Sequence, residues 1–563
     1  MKKFSILLAA VCLTLIVSCS QERKEMTKPQ EPEMSEVGKK MARYTPTKID
    51  FDDSILSQQE KKLLKKLVEA SYMMDEAFLR QCYGKNMEIR EVLRASSDPK
   101  DRELLHYFTI NFGPFDRLDE REPFMGEEKR PLGANFYPED MTKEEFEAWI
   151  KDHPKDAEKF KGLFTVVRRR GSELVTVPYS QEYAEQLNAA VKLLREAADL
   201  TDNATLKKYL ISRADALLKD DYYQSDIDWI DLKDNLLEIT IGPYEVYEDT
   251  LFGYKAAFES FVTMNDPEES ERLEKLVRFL PEFEANLPIP DEYKNTQRGA
   301  SSPIRVAIEV FSAGDTKAGV QTTAFNLPND ERVRSAKGSK KVMLKNVGEA
   351  KFNKSLIPIS KIVLAPEQQA YVNFNAYFND TLQHELAHAL GPGFITLPDG
   401  TKTEVGQALK DLYSGLEEGK ADIVGLCDTQ YLIDKGEFPK ELEKETYATY
   451  LAGIFRSIRF GIGEAHGRGN MISFNFLREK GGISYDPATE RFSTDFEKVK
   501  GAVRDLAREI LMIQAKGDYE GAKKMVEKYG SMPPEVTKAL DKLKSIPVDI
   551  EPLFTVEEKM KNW

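Results

Sequence analysis

The most specific chemical signal in the chain is His384-Glu385-Leu386-Ala387-His388. On an α-helix, residues four apart leave the same face one turn apart, so His384 and His388 can place imidazole nitrogens on one metal ion, with Glu385 beside it. The chain has only 5 histidines, which makes two of them at this spacing around a glutamate a strong zinc signature. The chemistry it supports is hydrolysis, in which one zinc ion activates a water and Glu385 carries its proton.

A catalytic zinc needs a third protein ligand and an open position. In the pattern H-E-x-x-H-x-x-G-x-x-H that ligand is a histidine; Gly391 fits, but the final position is Phe394, which cannot bind metal. The other common arrangement draws a glutamate from a second helix. Leu416-Glu417-Glu418-Gly419-Lys420-Ala421-Asp422 offers a carboxylate thirty positions after His388, and Gly391-Pro392-Gly393 ends the first helix in time for the chain to return. If Glu418 binds the ion, Asp422 lies one turn along the same face and can accept a hydrogen bond from a ligand histidine, fixing its tautomer. Glu417 has no assigned role on spacing alone. An isolated acidic run usually marks a solvated helix face, but the histidine helix upstream reverses that reading.

These residues need a scaffold, and 563 residues suffice for two or more lobes. Charged residues at 31% and aromatics at 10% describe a folded body. A net charge of −15 with no concentrated basic stripe argues against nucleic acid and against membrane attraction through basic patches. Leu64, Leu67, Val68, Met74 and Phe78 follow helical spacing, as do residues from Leu187 to Leu200. Phe164 to Val167 and Leu174 to Val177 flank a glycine turn and predict a hairpin; Leu237 to Ile241 and Ile304 to Val310 alternate with a period of two. After about Ala365 the pattern turns helical until roughly Lys544, and Ile546 to Ile550 reads as extended. The predicted fold is α+β and two-lobed: a mainly helical zinc lobe, a mixed lobe with a small β-sheet or barrel, and a cleft between them. Residues 46–365 are assigned to the mixed lobe, 366–545 to the zinc lobe, and 546–563 to a segment returning to the mixed lobe.

The N-terminus is of another kind. Lys2 and Lys3 precede an apolar run, Phe4 to Val17, too short for a comfortable membrane span and suited to a secretory signal. Ile16-Val17-Ser18-Cys19 resembles the lipobox of bacterial lipoproteins, which makes residues 1–19 a signal and Cys19 a lipidation site. Residues 20–45 read as a flexible tether. The expected location is the bacterial cell envelope, with membrane contact only through the lipid. Cys82 and Cys427 are too few for a disulfide framework, and no C-x-x-C pair is present.

Beyond these spacings, the sequence resembles the dipeptidyl-peptidase III metallopeptidases. Their second metal motif is similar to Glu417-Glu418-Gly419-Lys420-Ala421-Asp422, which implies Glu418 as the ligand, with Glu417 and Asp422 supporting the histidines. Ile241-Gly242-Pro243-Tyr244-Glu245-Val246-Tyr247 looks like the family's Glu-x-Tyr segment, implying that Glu245 binds the substrate's α-amino group and Tyr247 steadies the reacting carbonyl. Glu464-Ala465-His466 looks like the segment carrying its transition-state histidine. Asn346 is a further candidate for contact with the substrate backbone. The resemblance extends to a subgroup that includes the peptidase-like half of plant Nudix-fused proteins, although no Nudix box occurs here. Most members have H-E-x-x-G-H, whereas this chain has the five-residue form and Asp422 where a glutamate is usual. The implied activity is zinc-dependent removal of dipeptides from the free N-terminus of oligopeptides. The alternatives are a lipid-anchored peptide-binding protein without turnover and a zinc hydrolase of another amide or ester.

Overall fold

The computed structural model describes residues 34–295 and 304–563. The signal at 1–19, Cys19 and the first part of the tether lie outside the described residues. The tether expected to reach residue 45 ends sooner. Glu36–Met41 is helical, and Tyr44–Ile49 forms a strand parallel to Asp549–Phe554, with Tyr44 opposite Asp549. Tyr44 and Ile49 are buried, so apolar side chains at both ends of a short strand pin this segment to the body.

The mixed lobe is built on a five-stranded sheet of β1 (Leu237–Glu245), β2 (Ala257–Asn265), β3 (Ile304–Gly314), β4 (Ala324–Leu327) and β5 (Lys340–Leu344), in the order β1-β2-β3-β5-β4. Only β3 and β5 run parallel; the other neighbours are antiparallel. Helix Gln58–Cys82 covers it, and Ala184–Leu200 packs on the outside of that helix. The first of these starts with a reciprocal cap between Ser57 and Glu60, and its Leu64, Leu67, Val68, Met74 and Phe78 are all buried, as the spacing predicts. The predicted hairpin forms from Thr165–Arg170 and Glu173–Pro178, turning at Gly171 with φ of +62°.

Two hydrophobic cores define the two lobes. In β3 and β5 side chains alternate between them: Val306 and Met343 pack into the helical core, while Ala307, Val342 and Leu344 face the other. The sheet is therefore partly the wall between the lobes, with its period of two serving both sides. Leu273 to Ile289 and Phe352 to Leu364 pack in the helical core, not in the mixed lobe to which the 46–365 boundary assigns them. They are amphipathic segments flanking β3 and β5, and their apolar faces meet the helices beyond the sheet.

Candidate active site

Three helices build the site. Phe374–Ala387 begins at Asn373, whose side chain accepts from the Ala376 amide, and buries Phe378, Leu382 and Leu386 at four-residue spacing. That stripe turns His384 and His388 to the opposite side at the helix end. Tyr413–Lys435 carries Glu417, Glu418 and Asp422, and Ala465–Glu479 carries His466 in its first turn. Glycines let these helices approach: a Cβ on Gly425 would sit 3.0 Å from the backbone of Gln383 and His384, and one on Gly469 would sit 2.6 Å from the Gly419 nitrogen.

The histidines meet as the spacing requires. Their Nε2 atoms lie 3.1 Å apart. Glu418 Oε2 is 3.3 Å from His384 Nε2 and 3.7 Å from His388 Nε2. An ion about 2.0–2.2 Å from each of three tetrahedral ligands sets them roughly 3.3–3.6 Å apart, and the three separations bracket that range within about 0.2 Å. Glu418 Oε2 is buried and, among the described residues, has no well-aligned hydrogen-bond donor; its near neighbours are the nitrogens of His384, His388 and His466, a setting that suits a shared cation. His384 Nδ1 donates to Asp422 Oδ1 at 2.7 Å and His388 Nδ1 to Glu417 Oε1 at 2.9 Å. Carboxylates only accept, so each ring carries its proton on Nδ1 and aims Nε2 at the common point. Burial opposes charge on His384, but its hydrogen bond to Asp422 and the nearby Glu418 outweigh it and push its pKa to about 10. A more basic imidazole is a stronger metal donor.

The supporting carboxylates are themselves held. Asn470 Nδ2 donates to Asp422 Oδ2 at 3.0 Å and to the His466 carbonyl at 3.0 Å. Gln514 Nε2 donates to Glu417 Oε2 at 2.9 Å. Lys420, buried, lies 2.8 Å from Glu417 Oε1 and donates to the carbonyls of Ala387 and Leu390, capping the histidine helix from its neighbour. His466 Nδ1 lies 3.1 Å from Glu418 Oε2, and that contact raises its pKa. Glu385 is paired with Lys341 of β5, across from the other lobe. Burial pushes the Glu385 carboxyl up, but Lys341 and the histidines hold it below the usual range, as a base that must be ionised requires. Asp380, one turn before His384, is instead pushed well above that range by burial and then by Asp422.

A cavity of about 670 Å³ opens on this group, lined by His384, Glu385, Asp422 and His466 on one side and by Val320, Thr323 and Ala324 on the other. It is the expected cleft between lobes. Glu245 and Tyr247 are not among its walls. Glu245 ends β1, where Asn329 Nδ2 donates to it at 3.3 Å and burial raises its pKa. Tyr247 is 74% exposed on the following loop. A carbonyl-steadying role for Tyr247 therefore requires the lobes to approach each other. Asn346 lies outside the lining of this cavity; its amide exchanges hydrogen bonds with both backbone groups of Glu309 and donates to the Asp50 carbonyl.

Spacing alone could have found Asn470 and Asp380, four positions after His466 and four before His384. Lys420, three positions after Glu417 on the same helix, follows from the same rule, whereas Lys341 and Gln514 carry no such signal because they arrive from other elements.

A model of Peptidase family M49 matches residues 165–403. The chain is 39% identical to Nudix hydrolase 3 of Arabidopsis thaliana over 578 residues, covering 93% of this chain and 74% of that protein. Among solved structures, it is similar to DPP III from Caldithrix abyssi, with 55% identity and a TM-score of 0.91 over 92% of this chain and 99% of that one. It is also similar to dipeptidyl-peptidase III from Corallococcus sp. strain EGB, with 45% identity and a TM-score of 0.78 over 93% and 98%. Likeness of this extent, joined to a histidine–glutamate site of metal-binding geometry, shows that the chain belongs to peptidase family M49, the dipeptidyl-peptidase III family, and is a metallopeptidase.

Proposed function

We propose that this protein removes dipeptides from the free N-terminus of oligopeptides with one zinc ion held by His384, His388 and Glu418. The observation that carries the reading is the convergence of those three donor atoms, 3.1 to 3.7 Å apart, beside the ionised Glu385. Zinc bound by these three residues would supply Lewis acidity and a water of pKa about 7. Glu385 takes the proton from the attacking water and passes it to the leaving amine. His466 donates to the oxyanion, and its hydrogen-bonding neighbour Asn470 fixes the turn that presents it. Glu245 binds the substrate ammonium, and Tyr247 joins the carbonyl when the cleft closes. An anchored amine limits how many residues fit before the scissile bond, which sets the length of the released piece.

The test is incubation of zinc-loaded protein with matched free and N-acetylated oligopeptides, followed by mass spectrometry, with Glu385→Ala in parallel. Dipeptide release from free N-termini only, lost in the variant, is the expected result. Zinc-loaded protein that cleaves neither set sinks the proposal. For location, the sequence at Ile16-Val17-Ser18-Cys19 supports a lipid anchor on Cys19 in the bacterial cell envelope. Cys19→Ala is expected to move the protein from the membrane to the soluble fraction; unchanged fractionation refutes the anchor.

A further inference from the structure

Arg456 lines the cavity that holds His384, Glu385 and His466, yet among the described residues no carboxylate pairs with it. It sits in the last turn of the helix Leu442–Ser457, where a cation complements the helix dipole, but that placement does not satisfy its donors. Its Nε is buried without a hydrogen-bond partner. Among the described residues no carboxylate forms an ion pair with it, although Asp380, Glu385, Asp422 and Glu464 share the cavity. Glu385 is taken by Lys341, and Asp422 by His384 and Asn470.

The surroundings add to the positive field. Arg459 donates to the carbonyls of Leu543, Ile546 and Pro547 and has no described carboxylate partner, while Lys351 is already paired with Asp549 at 2.9 Å. A guanidinium with an unmet buried donor in a substrate cavity is suited to a planar anion, and a carboxylate matches its fork. Glu245 lies outside this cavity. A peptide whose N-terminus it holds therefore brings into the cavity the scissile bond, at His384, Glu385 and His466, and the residues beyond it.

We infer that Arg456 receives a carboxylate on the leaving side of the bound peptide. This rests on the aminopeptidase-type reading above. The carboxylate has two sources: the C-terminus of a short peptide, or an acidic side chain in a longer one.

Tetrapeptides of one sequence separate the two, made with a free or amidated C-terminus and with glutamate or glutamine at the fourth position. For zinc-loaded wild type, the free-to-amide ratio of kcat/KM is expected to be on the order of tenfold, expressed in KM, and to collapse to about one in Arg456→Gln, with partial recovery in Arg456→Lys. If the source is the side chain, the ratio that collapses is glutamate over glutamine among the amidated peptides. Equal kcat/KM for all four peptides in wild type, or ratios that survive Arg456→Gln, overturn the inference and leave the peptidase reading standing. If nothing is cleaved, the peptidase reading fails separately. Calorimetry of the same peptides with Glu385→Gln protein then reads the ratio as Kd, and equal affinities overturn the inference.

Discussion

Replacing Asp422 by alanine or asparagine separates the two services this carboxylate gives the metal site. One oxygen accepts from His384 Nδ1 at 2.7 Å and the other from Asn470 at 3.0 Å. Alanine removes both the orientation of the ring and the negative charge. Asparagine removes the charge and keeps one acceptor oxygen, enough for the His384 bond, while its NH2 meets the Asn470 donor and gives up that second bond. Partners of this kind are worth roughly 10- to 100-fold in metal affinity, or about 1.4–2.7 kcal/mol. Asp422→Ala is therefore expected to weaken zinc binding by that range. Asp422→Asn should lose about half as much in free energy, since a neutral acceptor forms a hydrogen bond of roughly half the strength. Asn470 keeps its bond to the His466 carbonyl in both variants, so the helix carrying His466 should stay in place. The measurement is zinc titration against a chromophoric chelator, with circular dichroism to confirm folding. A folded Asp422→Ala protein whose zinc Kd lies within twofold of wild type would refute the argument that this carboxylate holds the ligand imidazole.

Lys341→Met removes the cation that holds Glu385 below the usual carboxylate range. Glu385 should then ionise only at higher pH, so the acidic limb of the kcat/KM profile is expected to move upward; an unmoved limb would show that the pair does not govern the base. Gly425→Ala places a methyl 3.0 Å from the histidine-helix backbone and should destabilise the protein by about 1–3 kcal/mol in urea unfolding, with loss of zinc affinity. His466→Ala should lower kcat by roughly 10²- to 10³-fold while leaving stoichiometric zinc; full kcat in that variant would remove His466 from the mechanism.

Much of the metal site was legible because it is local. Helical periodicity alone puts His384 and His388 on one face, and the same rule relates Glu418 to Asp422; both relations survive in the structure because they depend only on a helix forming. Alternation within Leu237 to Ile241 and Ile304 to Val310 likewise announced strands, although the structure buries both faces of Leu237–Glu245 rather than one. The lobe boundary at residue 365 was not legible, because helices such as Leu280–Asn286 carry an apolar face that fits either core.

What the amino-acid sequence determined by itself was thus the donor set: two imidazoles, a glutamate base and a carboxylate-bearing helix. The tertiary structure decided what holds them. Lys341 reaches Glu385 from a strand in the other lobe, Gln514 steadies Glu417 from a helix ninety-seven positions away, and Arg456, with no carboxylate partner among the described residues, lines the same cavity. It also set Glu245 and Tyr247 apart from the metal residues. Contacts like these are fixed by how helices cross at Gly425 and Gly469 and how the sheet divides the two cores, and no local spacing records them.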